Sequence, residues 1–310
     1  MEYMILGKSG IKVSKIGLGV WQASAEWKGD DEAITKAIQR SHELGVNLVD
    51  TAEAYGNGHS EEVLGRAVNM IGRDEFVIAS KVKDAHLRYD ELQRACLASA
   101  SRLGVKEIDL YQVHWPDPWE QIPLRETMRA LEKLYMEGRI RMIGVSNFAV
   151  RDLEEARSYL SRTDIVSNQV RYNLLQRNIE EEVLPYCKRE GISIMAWSPL
   201  AQGALTGKYR RDVVPSGDPR GSNRLFSPKN IDQVEKINSP LAEIARRHGK
   251  TNAQVALSWL ASNPIVIPIP GAKNAAQAEE NAYAADIQLT REELNDLDKV
   301  AREVKIDYFP

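Results

Sequence analysis

Short apolar runs separated by helical patterns recur along the chain. Each run is rich in Val and Ile, is too short for a buried helix, and lacks the sustained polar alternation of a half-exposed strand. Such runs are typical of strands in a parallel sheet whose outer side is covered by helices. The eight predicted strands are residues 15–19, 47–50, 76–81, 108–114, 140–146, 165–169, 193–198 and 265–270.

The segments between these runs keep helical periodicity. One predicted helix is ended by Gly138 and places a row of apolar residues on one face: Leu124, Met128, Leu131, Leu134 and Tyr135. Thr251 with Gln254, and Thr290 with Glu293, have the spacing of capping boxes and predict two further helix starts.

A strand followed by a helix is the repeating order, which predicts a parallel sheet with right-handed crossovers. Eight such units close most naturally into a (β/α)8 TIM-type barrel, whereas a doubly wound open sheet usually has fewer units and a glycine-rich first turn. The turn at residues 17–21 lacks the third glycine of the dinucleotide-binding fingerprint. We therefore expect a single barrel domain over residues 1–310.

Two segments lie outside the repeating units. Residues 3–6 and 11–13 flank a turn-forming tetrapeptide and predict a β-hairpin that plugs one end of the barrel. Residues 201–238 form one long irregular stretch that contains several Gly, Pro and basic residues. Because a loop of this length in a compact domain is usually functional, we expect the part from Gly203 to Ser227 to act as a lid.

Composition narrows the function classes. The hydrophobic fraction of 43% and the charged fraction of 27% are those of a soluble globular protein, and a net charge of −3 provides no basic field for nucleic acid. No apolar stretch is long enough to span a bilayer, so we expect no membrane partner and a cytoplasmic location. Cys96 and Cys187 each lie in a helical pattern and are expected to be small buried hydrophobes.

Polar and aromatic residues stand at the ends of the predicted strands. In a barrel of this type the carboxyl ends of the strands meet at one mouth, where active sites lie. Six strand ends therefore bring an acid, a base and amide groups to one place. These ends carry Asp50, Lys81, His114, Ser146 with Asn147, Gln169, and Trp197 with Ser198.

Four residues at this mouth suit proton transfer to a carbonyl oxygen. A lysine beside Tyr55 would stabilise the phenolate and lower the tyrosine pKa, and Asp50 would keep Lys81 charged and in position. His114 would orient the carbonyl oxygen and assist protonation at lower pH. Because no nucleophile is required, the chemistry needs a separate hydride carrier.

The motifs around these residues closely resemble the aldo-keto reductase family, in its order and approximate spacing over almost the whole chain. They are residues 50–56 (Asp-Thr-Ala-Glu-Ala-Tyr-Gly) with Glu61 and Gly65, Lys81, residues 114–117 (His-Trp-Pro-Asp), 144–147 (Gly-Val-Ser-Asn), 197–200 (Trp-Ser-Pro-Leu), 270–273 (Pro-Gly-Ala-Lys), and Glu280 with Asn281.

The resemblance implies an NAD(P)H-dependent reductase of aldehydes and ketones. Tyr55 is then the general acid, Lys81 and Asp50 tune it, and His114 orients the carbonyl. Trp21 and Trp115 join Tyr55 and His114 in the substrate pocket. The expected coenzyme-binding residues are Gly19, Val20, Trp21, Asp50, Ser146, Asn147, Gln169, Trp197, Ser198, Pro199, Leu200, Gln202, Gly203, Lys208, Arg220, Gly271, Ala272, Lys273, Gln277, Glu280 and Asn281.

Coenzyme choice depends on the segment after the eighth strand. Many NADPH-preferring members have an arginine where this chain has Gln277, which leaves Lys273 as the expected partner of the 2′-phosphate. The sequence shows no acidic residue there to accept a ribose hydroxyl. We therefore expect NADPH to be preferred by a modest margin, with NAD as a weaker alternative.

Three other functions compete with this interpretation. Lys81 could form a Schiff base, as in class I aldolases. A metal hydrolase is less favoured, because only His114 among the histidines ends a strand, and we expect no metal. Related barrels also serve as channel-associated subunits. We expect a monomer or weak oligomer, and the sequence does not specify the substrate or the reaction direction.

Overall fold

The computed structural model describes residues 1–27, 29–119 and 121–307. An antiparallel hairpin comes first, formed by β1 (Tyr3–Ile5) and β2 (Lys12–Ser14). Eight parallel strands then pair in chain order: β3 (Leu18–Gly19), β4 (Leu48–Asp50), β5 (Val77–Val82), β6 (Ile108–Val113), β7 (Ile140–Ser146), β8 (Ile165–Arg171), β9 (Ser193–Trp197) and β10 (Val266–Pro268).

The sheet closes on itself between its first and last strands. The backbone N–H groups of Gly17 and Gly19 donate to the carbonyls of Pro268 and Pro270, each at 3.0 Å. This closure confirms the predicted barrel. Strand β3 is limited to two residues, β10 to three, and β8 continues to Arg171, whereas the other predicted strands match closely.

Helices follow the strands and cover the barrel. The predicted capping boxes at Thr251 and Thr290 are both present. The prediction that the irregular stretch continues to residue 238 is wrong, because Ser227 caps a helix that begins at Pro228. The helices are α1 (Asp31–Glu43), α2 (His59–Ile71), α3 (Tyr89–Leu103), α4 (Leu124–Met136), α5 (Val150–Ser158), α6 (Val183–Glu190), α7 (Pro228–His248), α8 (Asn252–Ala261), α9 (Ala275–Ala282) and α10 (Arg291–Glu303).

Apolar side chains pack on both sides of the barrel wall. The larger cluster lies between strands and helices and includes Cys96 and Cys187, which are buried as expected. The smaller cluster fills the barrel interior, where Leu6 and Val13 of the hairpin join Leu48 and Met195 of the strands. The hairpin therefore plugs one end of the barrel, as predicted.

No helix in the described ranges is long and apolar enough to cross a membrane.

The hairpin turn predicts a matched pair of variants. Gly7 has φ +52°, and a Cβ there would overlap the carbonyl oxygen of Val166. We expect Gly7→Ala to lower the free energy of unfolding by about 2 to 4 kcal/mol, because left-handed strain and overpacking add. Gly10 has φ +75°, and no heavy atom lies within 4 Å of the place that a Cβ would take, so Gly10→Ala should cost only about 1 kcal/mol. Urea unfolding of both variants tests this, and equal losses would contradict the plug contact.

Candidate active site

A buried ion pair lies at the carboxyl ends of β4 and β5. Lys81 Nζ donates to Asp50 Oδ2 at 2.6 Å and to the carbonyl of Thr51 at 2.9 Å, and the Lys81 side chain is fully buried. Its Nζ also lies 3.4 Å from the Tyr55 hydroxyl. Strand pairing, together with the turn after β4, therefore assembles the three residues predicted to work together.

Two aromatic side chains lie close to the Tyr55 ring. The His114 ring meets the Tyr55 ring edge-on, with centroids 5.5 Å apart, and the Trp21 ring is tilted against it with centroids 5.9 Å apart. The backbone N–H of His114 donates to the carbonyl of Val82, so His114 continues the pairing of β6 with β5. The fourth member of the predicted group is thus placed beside the other three.

Burial and neighbouring charges together set the pKa values of Tyr55 and Lys81. Burial raises the pKa of Tyr55, and the nearby Lys81 opposes this only in part. The expected net lowering of the tyrosine pKa is therefore wrong, although the effect of Lys81 has the expected sign. For Lys81, burial favours the neutral amine, but Asp50 and Tyr55 outweigh it and raise the pKa. Tyr55 is protonated and Lys81 is charged at neutral pH.

His114 is a neutral ring at physiological pH. Burial, with a smaller contribution from the charge on Lys81, lowers the pKa of His114 to about 3. The expectation that it assists protonation at lower pH is therefore corrected. A neutral imidazole still donates one hydrogen bond to a carbonyl oxygen.

Amide groups flank the ion pair. The register of β7 with β8 places Ser146 beside Gln169, and Gln169 Nε2 donates to Asp50 Oδ1 at 2.8 Å. Asn147, at φ 63°, donates to the His114 carbonyl and accepts from Trp197 Nε1 at 3.1 Å. Sequence reasoning missed Gln112, whose Nε2 also lies 3.3 Å from Asp50 Oδ1. Gln112 pairs with Lys81 across the two strands. It lies inside a predicted strand rather than at its end, so the strand-end rule did not select it.

A cavity of about 640 Å³ runs from the ion pair across the mouth of the barrel. Three predicted site residues do not line this cavity. Lys81 is fully buried behind its wall, and the side chains of Val20 and Ala272 pack in the core between strands and helices. The other predicted site residues line it: Gly19, Trp21, Asp50, Tyr55, His114, Trp115, Ser146, Asn147, Gln169, Trp197, Ser198, Pro199, Leu200, Gln202, Gly203, Lys208, Arg220, Gly271, Lys273, Gln277, Glu280 and Asn281.

The far end of the cavity holds a cluster of charges around Trp27. Lys273 Nζ and the Arg220 guanidinium lie 5.1 and 5.5 Å from the Trp27 ring. Asp218 accepts from Arg220 and lies 4.0 Å from Lys273 Nζ. The expectation that no acidic residue stands near Lys273 is therefore wrong, because the segment after β9 folds back to bring Asp218 there.

Sequence reasoning also missed cavity residues on the loop after β3. Gln22, Glu26 and Trp27 line the cavity. The rule that ligands bind at loops following barrel strands could have found them. Trp27 is 6% exposed and its buried Nε1 has no hydrogen-bond partner.

A nicotinamide dinucleotide fits these residues. The cavity extends from Asp50 and Tyr55 to Lys273, and its volume is in the range of cofactor sites. The two cations that line its far end, Lys273 and Arg220, suit an anionic ligand. Within residues 1–27, 29–119 and 121–307, no three His, Cys, Asp or Glu side chains cluster closely enough to hold a metal ion.

The parallel barrel holds a buried group of Tyr55, Lys81, Asp50 and His114 beside a cavity large enough for a dinucleotide. These features together define a barrel oxidoreductase. The Aldo/keto reductase family model matches residues 15–302. The chain belongs to the aldo-keto reductase family, and this membership supports reduction of carbonyl groups with NAD(P)H.

The proteins that this chain resembles are named for different coenzymes and different functions. The chain is 33% identical to an NADH-specific methylglyoxal reductase of Escherichia coli, covering 94% of this chain and 95% of the relative. It is 35% identical to a probable voltage-gated potassium channel subunit beta of Arabidopsis thaliana, covering 93% and 92%. A crystal structure of an aldo/keto reductase from Klebsiella pneumoniae, in complex with NADP and acetate, is 33% identical with a TM-score of 0.77, covering 97% and 96%.

The environment of His114 predicts that its ring does not gain a proton in the pH range where an exposed histidine does. We expect its ring to stay neutral from pH 8 down to about pH 4, because burial and Lys81 both disfavour the imidazolium. Histidine-labelled protein observed by NMR, with His114→Gln to assign the signal, measures this. The same ring in urea-unfolded protein should titrate near 6.5. A midpoint near 6.5 in the folded protein would show that the site is more open than the structure indicates.

Proposed function

We propose that the protein reduces aldehydes and ketones to alcohols with NADPH, using Tyr55 as the general acid. The observation that carries this proposal is the position of the Tyr55 hydroxyl, 3.4 Å from a charged Lys81 that is itself fixed by Asp50 at 2.6 Å. A phenol that is protonated at neutral pH and has a cation beside it is suited to give up its proton as charge develops on a substrate oxygen.

Each catalytic residue has one task in this scheme. When bound, the nicotinamide coenzyme supplies the hydride that reaches the carbonyl carbon. Tyr55 donates its proton to the carbonyl oxygen, and Lys81 stabilises the tyrosinate that remains. Asp50 keeps Lys81 charged and in place, while the neutral His114 ring donates a hydrogen bond that orients the oxygen.

The substrate end of the cavity favours small apolar carbonyl compounds. Trp21 and Trp115 line it together with Tyr55 and His114, and Trp115 is 47% exposed at the mouth. Large aromatic walls with few polar groups bind by shape and apolar contact, which gives loose selectivity among aldehydes and ketones.

The coenzyme residues divide along the cavity. We assign Ser146, Asn147 and Gln169 to binding the carboxamide of the nicotinamide, and Trp197 to stacking on its ring. The Arg171 guanidinium lies 4.3 Å from the centre of the Trp197 ring. The adenosine end is assigned to Lys273 and to four further cavity residues: Gly271, Gln277, Glu280 and Asn281. The Klebsiella structure with NADP supports NADPH, whereas the Escherichia coli relative is named for NADH.

The segment from Gly203 to Ser227 is assigned the role of a lid over the diphosphate. It brings Lys208 and Arg220 to the cavity wall. Gln202 and Gly203 both adopt positive φ, so the backbone kinks at the start of this segment. Charged side chains on a segment that crosses the cavity would contact a bound diphosphate directly.

A second candidate function is that of a channel-associated binding subunit, favoured by the Arabidopsis relative. Steady reduction of a small aldehyde with NADPH separates the two functions, because a binding subunit would hold the coenzyme with negligible turnover. The fully assembled Tyr55, Lys81, Asp50 and His114 group favours the enzyme.

Removing the Tyr55 hydroxyl tests the general acid. We expect Tyr55→Phe to lower turnover of a good aldehyde by roughly 10²- to 10⁴-fold, the usual contribution of general acid catalysis, with nearly unchanged coenzyme affinity. Steady-state kinetics and coenzyme titration measure the two effects. Tyr159→Phe, which removes a hydroxyl on the exposed surface, is the control. Near-parental turnover of Tyr55→Phe would mean that another group donates the proton.

Coenzyme preference is tested at Lys273. We expect Lys273→Ala to weaken NADPH binding by roughly 10- to 150-fold, the loss of one charge-assisted hydrogen bond, and to leave NADH binding nearly unchanged. Dissociation constants of both coenzymes for parent and variant measure this. A parallel loss for the two coenzymes, or a parent that prefers NADH, would refute the assignment.

A further inference from the structure

Arg171 and Trp197 lie next to each other at the carboxyl ends of β8 and β9. The register of these parallel strands pairs the two residues directly. The Arg171 guanidinium lies over the Trp197 ring, 4.3 Å from its centre, which is the distance of a cation–π contact with the face of the ring. One face of the indole is therefore covered by a group that stays positively charged at every physiological pH.

The Trp197 ring is held in place and still reaches the cavity. Its Nε1 donates to Asn147 Oδ1 at 3.1 Å, which fixes that edge of the ring. Trp197 is part of the cavity lining, whereas Arg171 is exposed to solvent and is not part of the lining. Since Arg171 covers one face and Asn147 holds one edge, the opposite face of the indole is left for contact with a ligand.

We propose that Arg171, a positioning residue that acts through Trp197, makes the site bind the reduced nicotinamide in preference to the oxidised one. The proposal deepens the function proposed above and rests on its assignment of Trp197 to stacking on the nicotinamide.

The two redox states differ by one charge at the ring that Trp197 would contact. The reduced nicotinamide ring is neutral, whereas the oxidised ring carries a positive charge. The face of an indole attracts a cation, so Trp197 alone would favour the oxidised ring. A guanidinium on the other face of the same indole lies two contact distances away, about 8 Å, and repels that charge. Arg171 therefore opposes the binding of the oxidised ring and leaves the neutral ring unaffected.

The expected discrimination is modest in size. Arg171 is exposed, so solvent screens part of its charge. Several-fold discrimination is nevertheless enough to influence turnover. A site that holds the reduced coenzyme and releases the oxidised form more readily favours carbonyl reduction over alcohol oxidation.

A purely structural role for Arg171 makes a different forecast. If the guanidinium only held the Trp197 ring in its orientation, loss of the contact would weaken both redox states by the same factor. Two substitutions separate charge from shape. Arg171→Gln keeps a planar polar group and removes the charge, whereas Arg171→Lys keeps the charge and removes the planar group.

The test measures dissociation constants of NADP⁺, NADPH and 2′,5′-ADP by calorimetry for the parent and both variants. We expect Arg171→Gln to bind NADP⁺ about 4-fold more tightly and NADPH with nearly unchanged affinity. Arg171→Lys should keep the ratio of the NADP⁺ to the NADPH dissociation constant within about 2-fold of the parent. The affinity for 2′,5′-ADP, which has no nicotinamide, should not change. Arg189→Gln removes a guanidinium 4.9 Å from the ring of Tyr186, away from the cavity, and is the matched control.

The outcomes separate this proposal from the one beneath it. A ratio that falls in Arg171→Gln but not in Arg171→Lys supports the role of the charge. A ratio that does not fall in Arg171→Gln, or that falls equally in both variants, overturns this role while leaving coenzyme use intact. A parent that binds neither NADP⁺ nor NADPH overturns the proposed function, and the role of Arg171 with it.

Discussion

The ion pair between Lys81 and Asp50 constrains the end of the barrel at which the strands terminate. A charged amine with no solvent exposure is tolerated only when its hydrogen bonds are satisfied, and Asp50, the Thr51 carbonyl and the Tyr55 hydroxyl surround it. The second oxygen of Asp50 is held by amides from two other strands. Adjacent strands must therefore keep their register, because a shift of one residue would leave a buried charge without its partner.

Apolar packing and the polar side chains of the candidate site lie at opposite ends of the barrel. The hairpin and the lower halves of the strands fill one end with apolar side chains, which makes the other end the place where polar strand ends can meet a ligand. Burial in this setting explains the protonation states. It keeps Tyr55 protonated and His114 neutral, whereas Lys81 stays charged because a carboxylate contacts it directly.

The two ends of the cavity use charge in different ways. At the catalytic end every charged group has a partner within the protein, so the arrangement is preorganised before a ligand arrives. At the far end Lys273 is only 4.0 Å from Asp218 and lies against Trp27, so a ligand can compete for it. The ion pair at one end is thus fixed by direct contacts, whereas Lys273 at the other end is held less tightly.

Local sequence patterns determined the elements and the strand-end residues. Apolar runs, capping boxes and the hairpin turn depend on neighbours a few positions apart, and the barrel rule then placed Asp50, Lys81 and His114 at one mouth. Ser227 followed by Pro228 is also a local helix-start signal, so the start of α7 could have been predicted. Tertiary structure alone decided the approach of Asp218 to Lys273 and the raised pKa of Tyr55. Contacts between residues distant in the chain, and the extent of burial, depend on how the whole barrel packs, and no local pattern encodes them.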